Sequence, residues 1–143
     1  MNNQNNYDFS IHTIFRETEF SDNRYVFFDA PTPRDIIIGA DCHQIVKLPF
    51  IYSEVGESIQ ILYRQGLDKT IAYSDNIVDT IYESKRLNRS VVKINLSSDE
   101  TSWFDDTILD TEIQLKVYTK EGKIYYSKPE KFKALAPINE NAN

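Results

Sequence analysis

The segment from Thr111 to Tyr118 alternates without a fault. Thr111, Ile113, Leu115 and Val117 fall on one parity, and Glu112, Gln114, Lys116 and Tyr118 on the other. Only an extended chain places every second side chain on one face, so this stretch predicts a strand with one buried side and one wet side. The pattern recurs. Ile59, Ile61 and Tyr63 alternate with Gln60, Leu62 and Arg64, and Val92, Ile94 and Leu96 line one face of a further segment. Tyr25-Val26-Phe27-Phe28, Ile36-Ile37-Ile38 and Ile45-Val46-Lys47-Leu48 add β-branched and aromatic runs that favour a pleated sheet. Gly66 and Gly122 mark turns, after which Thr70-Ile71-Ala72-Tyr73 and Ile124-Tyr125-Tyr126-Ser127 return as hairpin partners. Beyond Pro129, Phe132 and Leu135 predict a last strand. About seven to nine short strands with no interleaved long helices make the chain all-β, and the spacing fits an antiparallel β-sandwich of immunoglobulin-like architecture.

Two places depart from the two-residue period. At Ser97 the pattern changes, and Ser97-x-x-Glu100 has capping-box spacing, although Ser98 with Thr101 would serve as well. A short helical turn near 98–104 is expected, with Trp103 and Phe104 folding it onto the core. Ser53 to Glu57 reads as a short turn. Ser74 to Arg89 is open: Ile77, Ile81 and Tyr82 sit near helical spacing, while Val78, Thr80 and Tyr82 fit a strand.

Pro31 and Pro33 are the strongest breakers, because each removes a backbone donor and holds the chain extended. They divide the chain into an extended N-terminal arm (1–30), a sandwich domain (31–136) and a mobile C-terminal tail (137–143). The first six residues are polar and Asn-rich and are expected to be disordered. Tyr7, Phe9, Ile11, Thr13 and Phe15 then alternate with polar neighbours. Residues 7–28 can be an arm that docks on an adjacent subunit by strand addition, or an ordinary first strand of the same domain.

Charge narrows the partners. Sixteen Lys+Arg against 22 Asp+Glu give a net charge of −6. Without a basic block, such a chain lacks the phosphate neutralisation that supplies most nucleic-acid affinity. One cysteine, Cys42, excludes an intramolecular disulfide and any multi-Cys zinc site, which suits a reducing compartment. Apolar runs such as Val26–Phe28 and Ile36–Ile38 are far too short to span a membrane. The N-terminal residues have neither the basic nor the apolar region of a secretory signal.

A search for chemistry returns little. Asp41-Cys42-His43 groups three reactive types, but neighbours in a strand point to opposite faces, and a Cys–His pair must meet in space. Asp99, Glu100, Asp105, Asp106, Asp110 and Glu112 offer oxygen ligands, yet their spacing is not that of a calcium loop, and a solvated acidic loop is expected. The four glycines are isolated, so no phosphate loop exists. Asn88-Arg89-Ser90 and Asn95-Leu96-Ser97 match glycosylation sequons by chance. Tyr63 and Tyr73 are expected to face each other across a hairpin, and Tyr125 and Tyr126 to point to opposite faces. No catalytic, cofactor-binding or metal-ligating residue is assigned, and the chain reads as a non-enzyme with no cofactor.

Several local patterns occur in one order. They are Leu48-Pro49-Phe50, Ile59-x-Ile61-x-Tyr63-x-Gln65, Leu96-Ser97-x-x-Glu100-Thr101-x-x-Phe104, Ile113-Gln114-x-x-Val117, Gly122 and Ser127. This order resembles small β-sandwich proteins encoded among the structural genes of bacteriophages and prophages. The resemblance covers about Ile36 to Leu135 and implies a virion component of the tail, neck, baseplate or head surface. It implies no catalytic residues, and residues 1–35 lie outside it. The expected partners are other virion proteins, and the chain itself through residues 7–28, with no nucleic acid and no membrane. The expected location is the virion, assembled in the bacterial host cytoplasm.

Two further readings use the same fold. One is a module that binds carbohydrate or a host surface, with Trp103 beside Asp105 and Asp106 as its platform. The other is a small acidic inhibitor of a host protein, for which −6 is a weak charge.

Overall fold

A computed structural model describes residues 15–17, 25–29 and 33–138. It is all-β, with its strands in two main sheets around one core. The strands are β1 (Phe15–Glu17), β2 (Tyr25–Phe28), β3 (Ile36–Ile37), β4 (Cys42–Leu48), β5 (Gly56–Gln65) and β6 (Lys69–Tyr73). They continue as β7 (Val78–Ser84), β8 (Arg89–Leu96), β9 (Thr111–Thr119), β10 (Ile124–Ser127), β11 (Glu130–Phe132) and β12 (Ala134–Leu135). Two single-turn helices, α1 (Tyr52–Val55) and α2 (Ser98–Thr101), join strands of different sheets.

The larger sheet runs β1-β2-β10-β9-β5-β6, with β11 also on β9, and the smaller runs β4-β8-β7. Consecutive strands pair as the hairpins β5–β6, β7–β8 and β9–β10, and the chain changes sheet between one hairpin and the next. The core is made where alternate residues meet. Ile59, Ile61, Tyr63, Ile113, Leu115 and Val117 come from the larger sheet, and Val46, Leu48, Val92, Ile94 and Leu96 from the smaller. Tyr63 is held by edge-on contacts with Phe104 and Phe132, at ring separations of 5.2 and 5.8 Å.

The N-terminal boundary needs correction. Tyr25–Phe28 pairs in parallel with the chain's own β10, and Phe28 is wholly buried against Phe50. An aromatic side chain with a core socket belongs to the body, so this part of 1–30 is not a free arm. β1 pairs with β2 in the same sheet. Residues 7–14 and 18–24, Pro31 and the tail from 139 onward lie outside the described residues, as do the first six.

The region left open from Ser74 to Arg89 is a 3₁₀ turn (Asp75–Ile77) followed by strand β7. The expected turn near Ser53 is the helical turn α1, and Gly56 follows it because a Cβ there would collide with the Tyr52 ring. At Ser97 the capping box forms: Ser97 Oγ accepts from Glu100 N, and Ser97 N donates to the Glu100 carboxylate. The last strand is two short ones, β11 on β9 and β12 in parallel with β3. Among the described residues, no helix is long and apolar enough to cross a membrane.

Candidate functional site

Buried polar side chains lock one end of the sandwich. Gln44 is wholly buried; its Oε1 accepts from Tyr63 Oη at 2.7 Å and its Nε2 donates to Arg34 O. Burial raises the Tyr63 phenol well above its ordinary range, so the ring stays neutral while the chain is folded. Gln65 uses its whole amide on the loop before β9: Oε1 accepts from Asp105 N, and Nε2 donates to Asp105 O and Thr111 Oγ1. Thr101 Oγ1 accepts from Gly39 N and donates to Ala40 O. These satisfied groups position loops, and none is aimed at an open space.

The Asp41-Cys42-His43 group is split as strand geometry requires. Cys42 Sγ accepts from Ile37 N at 3.3 Å, while exposed His43 takes a hydrogen bond at Nε2 from Arg34 Nη1. Asp41 accepts from Ser98 N, which ties the start of β4 to α2. The acidic series is also dispersed. Glu100 caps α2, Asp105 accepts from Thr107 N and Oγ1, Asp110 faces Lys131 at 3.6 Å, and Glu112 pairs with Arg64. The Thr107 hydroxyl and amide lower the Asp105 carboxyl below its ordinary value. Among the described residues, no group of three or more His, Cys, Asp or Glu is placed to hold a metal ion.

Trp103 does not present an open platform. One side meets Phe104 edge-on at 4.9 Å, and Lys69 Nζ sits 4.7 Å above the ring. Phe104 is buried, so the pair closes the core beneath α2. Tyr63 and Tyr73 do meet, at 6.1 Å, but diagonally, because Tyr63 registers with Ile71. Tyr125 turns inward onto Phe50, and Tyr126 turns outward.

The outward residues of the larger sheet make the feature that sequence reasoning missed. Phe27 stacks on Tyr126 at 5.8 Å, and Lys116 Nζ lies 5.5 Å from the Tyr126 ring and 5.0 Å from the Tyr118 ring. The Tyr118 hydroxyl, and then that of Tyr126, raise the Lys116 ammonium above its ordinary value. On the same face, Leu62, Arg64, Ala72, Glu112, Gln114 and Pro129 border a shallow groove of about 360 Å³. Gln114 is anchored by donating to Ser127 O. Chemically this face offers ring edges, a shielded cation, an amide and an ion pair, which suit contact with a polar surface. The sequence carried the parity of each residue, but the β2–β10 neighbour relation that assembles the row required the topology. No protein-family model matches the chain, and no curated protein matches it.

Proposed function

We propose that this chain is a bacteriophage virion structural protein, an immunoglobulin-like sandwich that acts through protein–protein contacts. The observation that carries this reading is where the ordered pattern falls. Phe50, Ile61, Gln65, Thr101, Val117 and Ser127, drawn from every part but the turn glycine Gly122, are all buried, so the resemblance rests largely on residues that specify a core. The finer architecture is supported by the strand orders β4-β8-β7 and β10-β9-β5-β6, which distribute hairpins between two sheets as such sandwiches do. The test is the protein content of phage particles purified by density gradient from an induced culture of the source bacterium. The chain should band with the particles in fixed ratio to their major protein; a chain left entirely in the cleared lysate overturns the reading.

A second reading, a carbohydrate- or host-surface-binding module, is favoured by the row Phe27, Tyr126, Lys116 and Tyr118. Tyr126→Ala should then abolish retention on a glycan array without lowering the melting temperature by more than a few degrees.

A further inference from the structure

The strand register sets an acid-rich group of loops at one end of the sandwich and a hairpin with a cationic tip at the other, an end that also holds Glu54, Glu57, Glu83 and Glu121. Gln65 pairs with Thr111 and Cys42 with Leu96 at one end, while Gly56 pairs with Thr119 and Leu48 with Ser90 at the other. At the first end, loops 66–68 and 97–110 carry Asp68, Asp99, Glu100, Asp105, Asp106 and Asp110, with no Lys or Arg inside either loop. At the second end, the β7–β8 hairpin turns through Lys85, Arg86, Leu87 and Asn88 into Arg89, with no carboxylate between Ser84 and Ser98. Within the turn itself, 85–89, the charge is cationic on a chain of net charge −6.

Those charges are available. Lys85 lies 3.3 Å from Glu54, but Arg86 and Arg89 have no carboxylate partner among the described residues. Asp68, Asp99 and Asp106 likewise face no cation among the described residues. Each pole also exposes leucine. Leu67 and Leu109 are 92% and 89% exposed, and they flank the hydrogen bond from Gly66 N to Asp110 O. At the hairpin, Leu87 is 48% exposed beside Arg86. The tip is held in one shape, with Leu87 N donating to Ser84 Oγ, Asn88 N donating to Lys85 O, and Asn88 at φ 53°.

We propose that copies of this chain associate head to tail, the cationic β7–β8 hairpin of one seating on the acidic loops 66–68 and 97–110 of the next. The occupant is a second copy because the matching pattern, carboxylates around exposed leucine, lies on the chain's own opposite pole. Nucleic acid would bring its phosphates onto an otherwise acidic body. The contact joins two different surfaces, so it is heterologous and repeats into a ring or a filament. Exposed ion pairs are individually weak and are screened by salt, so the free chain associates weakly and most strongly at low ionic strength. This deepens the assembly reading by naming the partner.

Sedimentation equilibrium of the full chain over a concentration series tests it. In low salt the weight-average mass should climb to at least about twice the 16.7 kDa of one chain, and return to one chain in about 1 M salt, where charges are screened beyond ~3 Å. Arg86→Glu with Arg89→Glu reverses the hairpin and should stay monomeric, with an unchanged circular dichroism spectrum; Asp68→Lys with Asp106→Lys leaves four carboxylates in the loops and should only weaken the association. A wild-type chain that stays monomeric at every concentration overturns the contact. So does association that survives Arg86→Glu with Arg89→Glu undiminished. None of these outcomes depends on particles: a monomer that still bands with phage sinks this contact alone, and an oligomer absent from phage sinks the virion reading alone.

Discussion

Strands β9 and β7 are made of similar residue types and live in different worlds. β9 lies between β5 and β10, and its burial alternates from Thr111 to Thr119 without a break. Among the described residues β7 pairs only with β8, and Asp79, Thr80, Ile81 and Tyr82 are exposed in succession. The register explains the contrast: Thr80 sits opposite Val92 and Tyr82 opposite Val91, so Ile81 is an extra residue that bulges out of the ladder. A bulge bends an edge strand away from the core and blunts it against unwanted pairing. The edge strands β4 and β6 keep their alternation, so β7 loses the two-residue period through its bulge and not through its place at the edge.

The comparison breaks first in the middle of the larger sheet. Leu115→Ala should cost about 2–5 kcal/mol in urea unfolding, because close-packed neighbours leave a cavity. Tyr63→Phe keeps the ring but strands Gln44 Oε1 in the core, and about 1–3 kcal/mol is expected by the same measurement. Ser97→Ala removes the cap from α2 and should cost roughly 1 kcal/mol. Ile81→Ala, at the bulge, should change stability by less than about 0.5 kcal/mol; a loss comparable to that at Leu115 would show that β7 is gripped after all.

The smallest effect sharpens the contrast through pH. The Ser53 hydroxyl and amide lower the Glu83 carboxyl below its ordinary value, a bridge from the end of β7 to α1. A lowered carboxyl contributes stability above its unfolded pKa, and that contribution disappears as pH falls through the folded one. Glu83→Gln should therefore melt slightly lower than wild type at neutral pH, and the gap should close in acid.

Strand-by-strand reading reached β4, β5, β6, β8, β9 and β10, because each has an apolar parity facing one core. It stalled at β7 because the bulge shifts the parity at Ile81, leaving Ile77, Ile81 and Tyr82 to imitate a helix. It placed β2 with an arm because parity says nothing about which strand lies alongside, and a parallel neighbour some two thirds of the chain away leaves no local signal. The outer row of Phe27, Tyr126, Lys116 and Tyr118 was hidden for the same reason. The capping box was legible because it is local, four residues carrying both donors and both acceptors.

The parallel strands also set a timetable for the chain as it is made. Phe28 waits for Ser127, and Asp35 takes its hydrogen bond from Lys133 N, 98 residues further on. The hairpins β5–β6 and β7–β8 can close on the ribosome as soon as they emerge, but β2 has only β1 beside it, and lacks its place in the larger sheet, until β10 has been synthesised. For most of translation, the early segment carries an aromatic side chain whose socket does not yet exist. The last stretch to be made therefore completes the core, and truncation before β10 would leave Phe28 exposed and the nascent sheet open to aggregation.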